Sequence, residues 1–147
     1  MQPLVSVVTV CFNAAATIAT TLDSVRAQTW RPLESVVVDG GSKDGTQDIV
    51  ARYADITGKV VSEPDGGIYD AMNKAIGMAQ GEIIHFLNAD DCFVDAGVVE
   101  AALAIFMAEP EVDLVYGDAV YRSADGAFLR RFKRVRIRKF NGPSSAI

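Results

Sequence analysis

Apolar and polar positions follow one another along this chain in blocks that predict strands and helices in turn. Residues 4–10 and 33–38 are β-branched runs with the length and dryness of buried parallel strands. Between them, Ile18, Leu22 and Val25 keep the i, i+4, i+7 spacing of one helical face, with Asn13 available near the start of that helix. The pattern therefore predicts a strand, a helix and a second strand.

The same alternation continues to about residue 108, and a short all-strand region follows it. Helices are predicted at about 46–54, 68–78 and 99–106. Strands are predicted at 59–62, 83–88 and 112–117, with a hairpin over 121–128 that turns at Asp125-Gly126. Alternating strands and helices predict the α/β class with a mostly parallel sheet.

Two adjacent acids follow the apolar strand at 83–88, which is predicted to be buried. Ligands of open α/β sheets collect at the carboxyl ends of strands, where Asp90 and Asp91 lie with Asn88. These oxygen ligands suit Mg or Mn, which usually completes its shell with substrate phosphate. The same acids could instead cap a helix that begins near Asp95, and the residues alone leave both interpretations open.

Two glycine-rich turns are further candidates for ligand contact. Asp39 ends the second strand and opens the turn at 39–46, whose three glycines let the backbone approach a ligand closely. Gly66 and Gly67 precede the helix at 68–78, where free N–H groups and the helix dipole attract phosphate. The alternative is that the polar face of that helix is simply solvated, as such faces more often are.

Composition limits the classes of protein that remain. The chain has 147 residues, of which 50% are hydrophobic and 22% charged, so we expect one folded domain over 1–147. No apolar run approaches the roughly 18 residues of a membrane span and no basic leader precedes the first one, which predicts a cytoplasmic location. Cys11 and Cys92 are expected to be free thiols, and zinc is not expected.

Charge is distributed unevenly along the sequence. All 19 acids lie at or before Asp125, whereas seven of the 14 basic residues lie in a basic tail at 130–139. Such a segment can contact phosphate, an anionic acceptor or an acidic membrane surface peripherally. The alternative is a solvated edge strand that discourages pairing. Nucleic acid is not an expected partner, because the acidic remainder would repel it.

Four motifs, taken together and in this order, resemble the family 2 glycosyltransferases. They are Val-Ser-Val-Val-Thr-Val-Cys-Phe-Asn at 5–13, Asp-Gly-Gly-Ser-Lys-Asp-Gly-Thr at 39–46, Gly-Ile-Tyr-Asp-Ala-Met-Asn-Lys at 67–74 and Phe-Leu-Asn-Ala-Asp-Asp at 86–91. The resemblance covers residues 4 to about 122. It implies a GT-A fold, which is a Rossmann-like, mostly parallel sheet sandwiched by helices. It also implies metal-assisted, inverting transfer from a nucleoside-diphosphate sugar to a saccharide or lipid-linked acceptor.

The resemblance assigns the nucleotide side of this site residue by residue. Val10, Cys11 and Phe12 match the loop that packs on the nucleoside, and Asp39 matches the family's base-binding acid. Gly67 matches the stretch near the diphosphate.

The remaining assignments concern charge. Lys74 is a candidate charge partner of the diphosphate. Asn88, Ala89 and Asp90 align with the Asp-x-Asp signature of the family, so the resemblance gives Asp90 and Asp91 the Mg or Mn ion.

The chain also departs from the family pattern. The family more often has Asp where this sequence has Gly40 and Asn88. Family members usually continue into an acceptor-side segment with a catalytic carboxylate, which this sequence is expected to lack because no carboxylate follows Asp125. The catalytic base is therefore unknown. Asp118 is a candidate, while His85 is expected to be a core or edge histidine.

Two alternatives to transfer stay open. The chain could bind a sugar nucleotide without transferring the sugar, as a truncated or base-less domain would. It could also be a nucleotidyltransferase-like enzyme on a related sheet, although it lacks a basic glycine-rich loop near the first strand. An incomplete sheet edge near residue 130 could favour a homo-oligomer.

Overall fold

A computed structural model describes residues 2–123, 125, 127–132 and 136–138. The chain divides into two compact units, Met1–Val98 and Val99–Ile147, each of which is described by itself. The expectation of one domain over 1–147 stays a prediction.

The first unit contains four strands and three helices in alternation. They are β1 (Val5–Cys11), α1 (Ile18–Arg26), β2 (Leu33–Asp39), α2 (Thr46–Ala51), β3 (Thr57–Ser62), α3 (Ile68–Met78) and β4 (Ile83–Phe86). The last helix, α4 (Val98–Ala108), begins at the boundary. The second unit then contains β5 (Leu114–Tyr116), β6 (Ala119–Arg122), β7 (Phe128–Phe132) and β8 (Arg136–Arg138).

The four strands of the first unit form one parallel sheet in the order β3-β2-β1-β4. Every residue of β1 is buried, as predicted for an apolar strand that has neighbours on both sides and helices on both faces. The predicted α/β class with a mostly parallel sheet is confirmed.

Helices cover both faces of this sheet. On one face, α1 and α2 pack Leu22 and Val50 against Val37. On the other face, α3 packs Ala71 and Ala75 against β1 and β2. Successive residues of a strand point to opposite faces, which is why neighbouring β2 valines enter different clusters. The helical stripe read from the sequence is correct, since Ile18, Leu22 and Val25 are all fully buried.

Two elements end at least two residues before their predicted ends. Strand β4 ends at Phe86 rather than at residue 88, and it is only half-buried, with Phe86 41% exposed. The physical reason is its place at the end of the strand order, where its described neighbour is β1 alone. Helix α2 ends at Ala51 rather than at residue 54, because Arg52 and Tyr53 donate their N–H groups to carbonyls three residues back and so tighten the last turn.

The second unit contains two antiparallel strand pairs. Strands β6 and β7 form the predicted hairpin, and β5 pairs with β8. Parts of the basic tail therefore lie in β7 and β8, and each of these strands belongs to a two-stranded sheet, in which both strands are edge strands. The interpretation of the tail as a solvated edge strand stays a prediction. Residues 133–135 and 139 lie outside the described residues, so membrane contact and self-association through this segment stay predictions.

None of the helices in the described residues is long and apolar enough to cross a bilayer.

Candidate functional site

The carboxyl ends of the parallel strands meet at one edge of the sheet. Cys11 pairs with Asp39 in the register of β1 and β2. On the other side of β1, Leu87 donates its N–H to the carbonyl of Val8 at 2.9 Å, which carries the chain from β4 toward the same edge. Ala89 then packs in the apolar cluster that contains Cys11. The motifs that end β1, β2 and β4 are therefore neighbours in space.

A cavity of about 770 Å³ lies between the carboxyl ends of β1 and β2 and the segment that connects β3 to α3. Its lining includes four of the predicted nucleotide-binding residues, Val10, Cys11, Phe12 and Gly67. It also includes residues that had no assigned role, namely Asn13, Gly40, Gly41, Lys43, Pro64, Asp65, Ile68 and Ala71. Asp39 and Lys74 are not in this lining. The cavity has the size and the mixed lining of a small-molecule site.

Asp39 is only 1% exposed, and both of its carboxylate oxygens accept hydrogen bonds. Oδ1 accepts from the Ser42 hydroxyl and from the Cys11 thiol, the latter at 3.6 Å. Oδ2 accepts from the Ser42 N–H at 3.0 Å and from the Ser62 hydroxyl at 2.5 Å. The carboxylate thus ties the ends of β1, β2 and β3 together, while its predicted contact with a base stays a prediction.

The titration of Asp39 and Cys11 follows from this contact. Burial raises the pKa of Asp39, but the hydrogen bonds from Ser42 and Ser62 outweigh it and hold the pKa below its usual value. Burial, together with the Asp39 charge, raises the pKa of the Cys11 thiol to about 12. Cys11 is therefore a neutral thiol that donates to an ionised carboxylate at neutral pH.

The segment at 40–46, here called the β2 loop, is bonded to the turn between β1 and α1. The Asn13 N–H donates to the Ser42 hydroxyl at 2.7 Å, and the Asn13 side chain accepts from the Lys43 N–H at 3.1 Å. The Ala14 N–H donates to the Thr46 hydroxyl at 2.9 Å. The expectation that Asn13 serves the N-terminus of α1 is wrong, because it has a positive φ of 49° and its amide holds the β2 loop instead.

The start of α3 differs from its sequence interpretation. The N–H groups of Gly66 and Gly67, expected to be free for phosphate, donate to Asp70 at 2.9 Å and to Asp65 at 2.8 Å. Both backbone donors are therefore already occupied by carboxylates of the same segment.

The two lysines near the cavity also have different surroundings from those expected. Lys74, predicted to meet a diphosphate, lies 3.0 Å from a Glu63 oxygen and 3.6 Å from an Asp70 oxygen. The basic residue in the cavity lining is Lys43. Its place in the glycine-rich turn that follows β2 was a signal that could have identified it from the sequence.

The segment at 87–92, here called the acid loop, provides oxygen atoms. The side chains of Asp90 and Asp91 are exposed, and the buried Asn88 Oδ1 has no hydrogen-bond partner among the described residues. Burial and the neighbouring Asp90 charge raise the pKa of Asp91. A buried acceptor without a donor beside two carboxylates fits a hard divalent cation.

The described residues contain no group of three or more His, Cys, Asp or Glu side chains that could hold a metal ion by themselves. A cation on the acid loop would therefore take further ligands from water or from substrate phosphate. The capping alternative is not what the structure shows, because α4 begins at Val98 and the turn before it is bonded by Asp95, which accepts the Gly97 N–H at 2.8 Å.

Side chains of α1 fix the chain that follows the acid loop. The Thr21 hydroxyl donates to the Asp91 carbonyl at 2.7 Å, and the Ser24 hydroxyl accepts the Phe93 N–H at 3.1 Å. The Gln28 amide donates to the Asp95 carbonyl at 2.7 Å. Sequence reasoning missed this row, although the spacing of 21, 24 and 28 places the three polar residues on one face of the helix.

Comparison with known sequences agrees with the arrangement of these motifs. The profile of the family described as glycosyl transferase family 2 matches residues 6–145. The chain belongs to glycosyl transferase family 2.

A relative within this family is a PGL/p-HBAD biosynthesis glycosyltransferase from Mycobacterium bovis (strain BCG / Pasteur 1173P2). It is 40% identical over 134 residues, which cover 86% of this chain and 52% of the relative. The chain thus spans about half the length of the curated relatives of this kind.

Two solved structures are also similar. The mannosyltransferase PcManGT from Pyrobaculum calidifontis, in complex with GDP-Man and Mn²⁺, matches with a TM-score of 0.71 and 30% identity over 84% of this chain and 36% of that one. TarS 1–349 from S. aureus, in complex with UDP-GlcNAc, matches with a TM-score of 0.66 and 27% identity over 72% of this chain and 32% of that one. The fold of this family 2 chain is the Rossmann-like GT-A fold.

The structure describes the positions of two residues that were weighed as the catalytic base, His85 and Asp118. His85 lies on β4 with its ring centroid 4.9 Å from that of Phe93, and burial lowers its pKa, so it is neutral at physiological pH. Asp118 lies between β5 and β6 in the second unit. Its role as the base stays a prediction.

Proposed function

We propose that this chain transfers a sugar from a nucleoside-diphosphate sugar to a hydroxyl group of a saccharide or lipid-linked acceptor, with inversion at the anomeric carbon. The observation that carries the proposal is the cavity at the joined ends of β1, β2 and β3 in a family 2 chain. The complexes of similar proteins with GDP-Man and UDP-GlcNAc support this class of donor substrate.

The nucleoside is assigned to the part of the cavity formed by Val10, Cys11 and Phe12. Phe12 is 66% exposed, so its ring is available to a planar base. Gly67 and Lys43 line the same cavity and are assigned to the ribose and diphosphate. Lys74 is paired with Glu63 and Asp70, so it can contact a phosphate only after one of these ion pairs breaks. We keep its assignment as a charge partner of the diphosphate on that condition.

Asp90 and Asp91 would hold a divalent cation, Mg or Mn, with the Asn88 amide oxygen and the Ala89 backbone beside them. The Mn²⁺ in the PcManGT complex supports this assignment. When bound, such an ion offsets the negative charge that develops on the departing diphosphate. The chain's own contribution is to hold two adjacent carboxylates at the end of β4.

The reaction needs one further group. The acceptor oxygen forms a bond to the anomeric carbon while the bond from that carbon to the diphosphate oxygen breaks, and the hydroxyl proton passes to a base. Inversion places this base on the side of the sugar opposite the diphosphate. Asp118 is the in-chain candidate, and a carboxylate from a partner is the alternative.

The second candidate function is binding of the sugar nucleotide without transfer. It is supported by the missing assignment of a base, since Asp39, Asp90 and Asp91 are already assigned to the nucleotide or to the metal. Both functions share the same donor site.

Calorimetry with UDP and GDP, each with and without Mn²⁺, tests the donor site. We expect binding that weakens strongly without the metal, and metal-independent binding or none would contradict the proposal. Release of nucleoside diphosphate from a panel of sugar nucleotides, with and without saccharide or lipid-linked acceptors, then separates the two functions. Acceptor-stimulated release supports transfer, and binding with no stimulated release supports the binding function.

A further inference from the structure

Among the described residues, Asp65 is the one acid in the lining of the cavity. It lies in the connection between β3 and α3, and it is half-buried. Two further acids lie at these strand ends but not in the lining: Asp39 accepts four hydrogen bonds from protein groups, and Glu63 forms an ion pair with Lys74. In the part of the chain that the structure describes, Asp65 is therefore the carboxylate that a ligand in this cavity can contact.

The two oxygens of Asp65 have different surroundings. Oδ1 accepts the Gly67 N–H at 2.8 Å, which fixes the side chain at the start of α3. Oδ2 extends over Gly40, since a Cβ atom built on Gly40 would be 3.1 Å from Asp65 Oδ2 and 3.3 Å from Cδ2 of Phe12. The carboxylate thus occupies the space that a side chain at position 40 would fill, next to the ring of Phe12.

We infer that Asp65 selects the base of the nucleotide, accepting a hydrogen bond through Oδ2 from a ring N–H of a base that lies against Phe12. This inference rests on the proposed function and assigns a specificity role within that site. Glycine at position 40 is part of the same device, because a side chain there would displace the carboxylate or the ring.

The chemistry of the bases decides which nucleotides fit. Uracil and guanine each carry a ring N–H beside a carbonyl on their hydrogen-bonding edge, and that N–H can donate to a carboxylate. Cytosine and adenine carry an unprotonated ring nitrogen at the corresponding position, whose lone pair would face the carboxylate. An ionised acceptor makes this difference larger than a neutral one, because charge-assisted hydrogen bonds are stronger. The site is therefore expected to take UDP or GDP and to reject CDP and ADP.

Calorimetry of the 147-residue chain with UDP, GDP, CDP and ADP in Mn²⁺ tests the inference. We expect UDP or GDP to bind at least about 10-fold more tightly than CDP and ADP, the size of one hydrogen bond to a charged group. Asp65→Asn keeps an oxygen for the Gly67 N–H but removes the charge. It should lower the affinity for the preferred nucleotide about 10-fold and leave CDP and ADP unchanged or improved.

Asp70→Asn is the matched control. Asp70 accepts the neighbouring Gly66 N–H at 2.9 Å in the same turn, but it is not part of the cavity lining. This variant should leave the ratio of UDP or GDP to CDP affinity unchanged. An equal loss of preference in both variants would indicate a general effect of the turn and would overturn the assignment to Asp65.

Gly40→Ala tests the same geometry without removing a charge. Its new methyl group would compete with Asp65 Oδ2 and Phe12, so the base preference should fall while circular dichroism stays unchanged. Metal-dependent binding with an unaltered preference in both Asp65→Asn and Gly40→Ala would overturn this inference and leave the proposed function standing. No nucleotide binding by the unmodified chain would overturn both.

Discussion

On the nucleoside side of the candidate site, the carboxylate of Asp39 and the hydroxyls of Ser42 and Thr46 all bond to other protein groups. On the acid loop, the buried Asn88 oxygen has no partner among the described residues and the acids at 90 and 91 are exposed. The first region is shaped by its own hydrogen bonds before any ligand arrives. The second has two exposed carboxylates, which under the proposed function would bind a divalent cation together with the donor diphosphate. Acids in the two regions should therefore respond differently to mutation.

The largest effect is expected at Asp90. Asp90→Asn removes one charge from the acid loop, so metal-dependent nucleotide binding should weaken by about 100-fold, the upper end of the loss caused by removing a supporting group at a metal site. The melting temperature should change little, because the side chain is exposed. Calorimetry in Mn²⁺ and a thermal scan measure the two quantities.

Asp95→Asn is the control for that experiment. Its oxygen can still accept the Gly97 N–H, and Asp95 has no assigned metal role. It should keep both metal dependence and stability. Unchanged metal dependence in Asp90→Asn would break the contrast between the two regions, as would a loss of folding.

Asp39→Asn should show the opposite behaviour. The new amide nitrogen is a donor, and it faces the donors of Ser42 and Ser62 that bond to the carboxylate in the parent. These donors lose an acceptor, which should lower the free energy of unfolding by about 2 kcal/mol. Urea denaturation measures this change. A variant that is as stable as the parent but has lost nucleotide binding would contradict the positioning role and support direct contact between Asp39 and the base.

The pH dependence of the free energy of unfolding is a second test of the stabilisation that Asp39 provides. The pKa of Asp39 in the folded chain is lower than the ordinary value of 3.8, so the unfolded chain binds the proton more tightly in acid. The stabilisation is therefore complete above about pH 4 and is lost as pH falls through the lower, folded pKa. The stability difference between the parent and Asp39→Asn should shrink below about pH 4 in urea titrations. A difference that is constant from pH 2 to pH 7 would contradict this origin.

The smallest predicted effect concerns the two thiols. Cys92, on the exposed acid loop, should react with a thiol reagent in the folded chain, whereas Cys11 should react only after unfolding. Burial and a pKa of about 12 both protect Cys11. Mass spectrometry of iodoacetamide-treated protein should show one label without denaturant and two labels with it. Equal labelling of both residues in the folded chain would show that the end of β1 is open to solvent.

Much of the fold was predictable because its signals are local. The limits of α3 and the buried face of α1 follow from periodicity, and the dryness of β1 and β2 follows from β-branched runs. The weaker points were places where distant segments decide the outcome. Strand β4 is half-buried because of its position in the sheet, and strand order cannot be read from the composition of one strand.

The candidate site was predictable in its location but not in its bonding. The sequence indicated which turns meet, yet it could not show that Ser62, 23 residues away, would occupy Asp39. The sequence also could not show that Glu63 forms an ion pair with Lys74. The basic residue that lines the cavity is Lys43 instead. The role proposed for Asp65 could not be read from the sequence, because it depends on the absence of a side chain at Gly40.

The row of α1 side chains behind the acid loop has one further consequence. The backbone is fastened to β1 at Leu87 and to α1 from Asp91 onward, so only three consecutive residues, 88 to 90, span the gap between two anchors. A segment this short limits how far the Asp90 carboxylate can move. Substitutions within this segment should therefore leave the anchored backbone on either side in place.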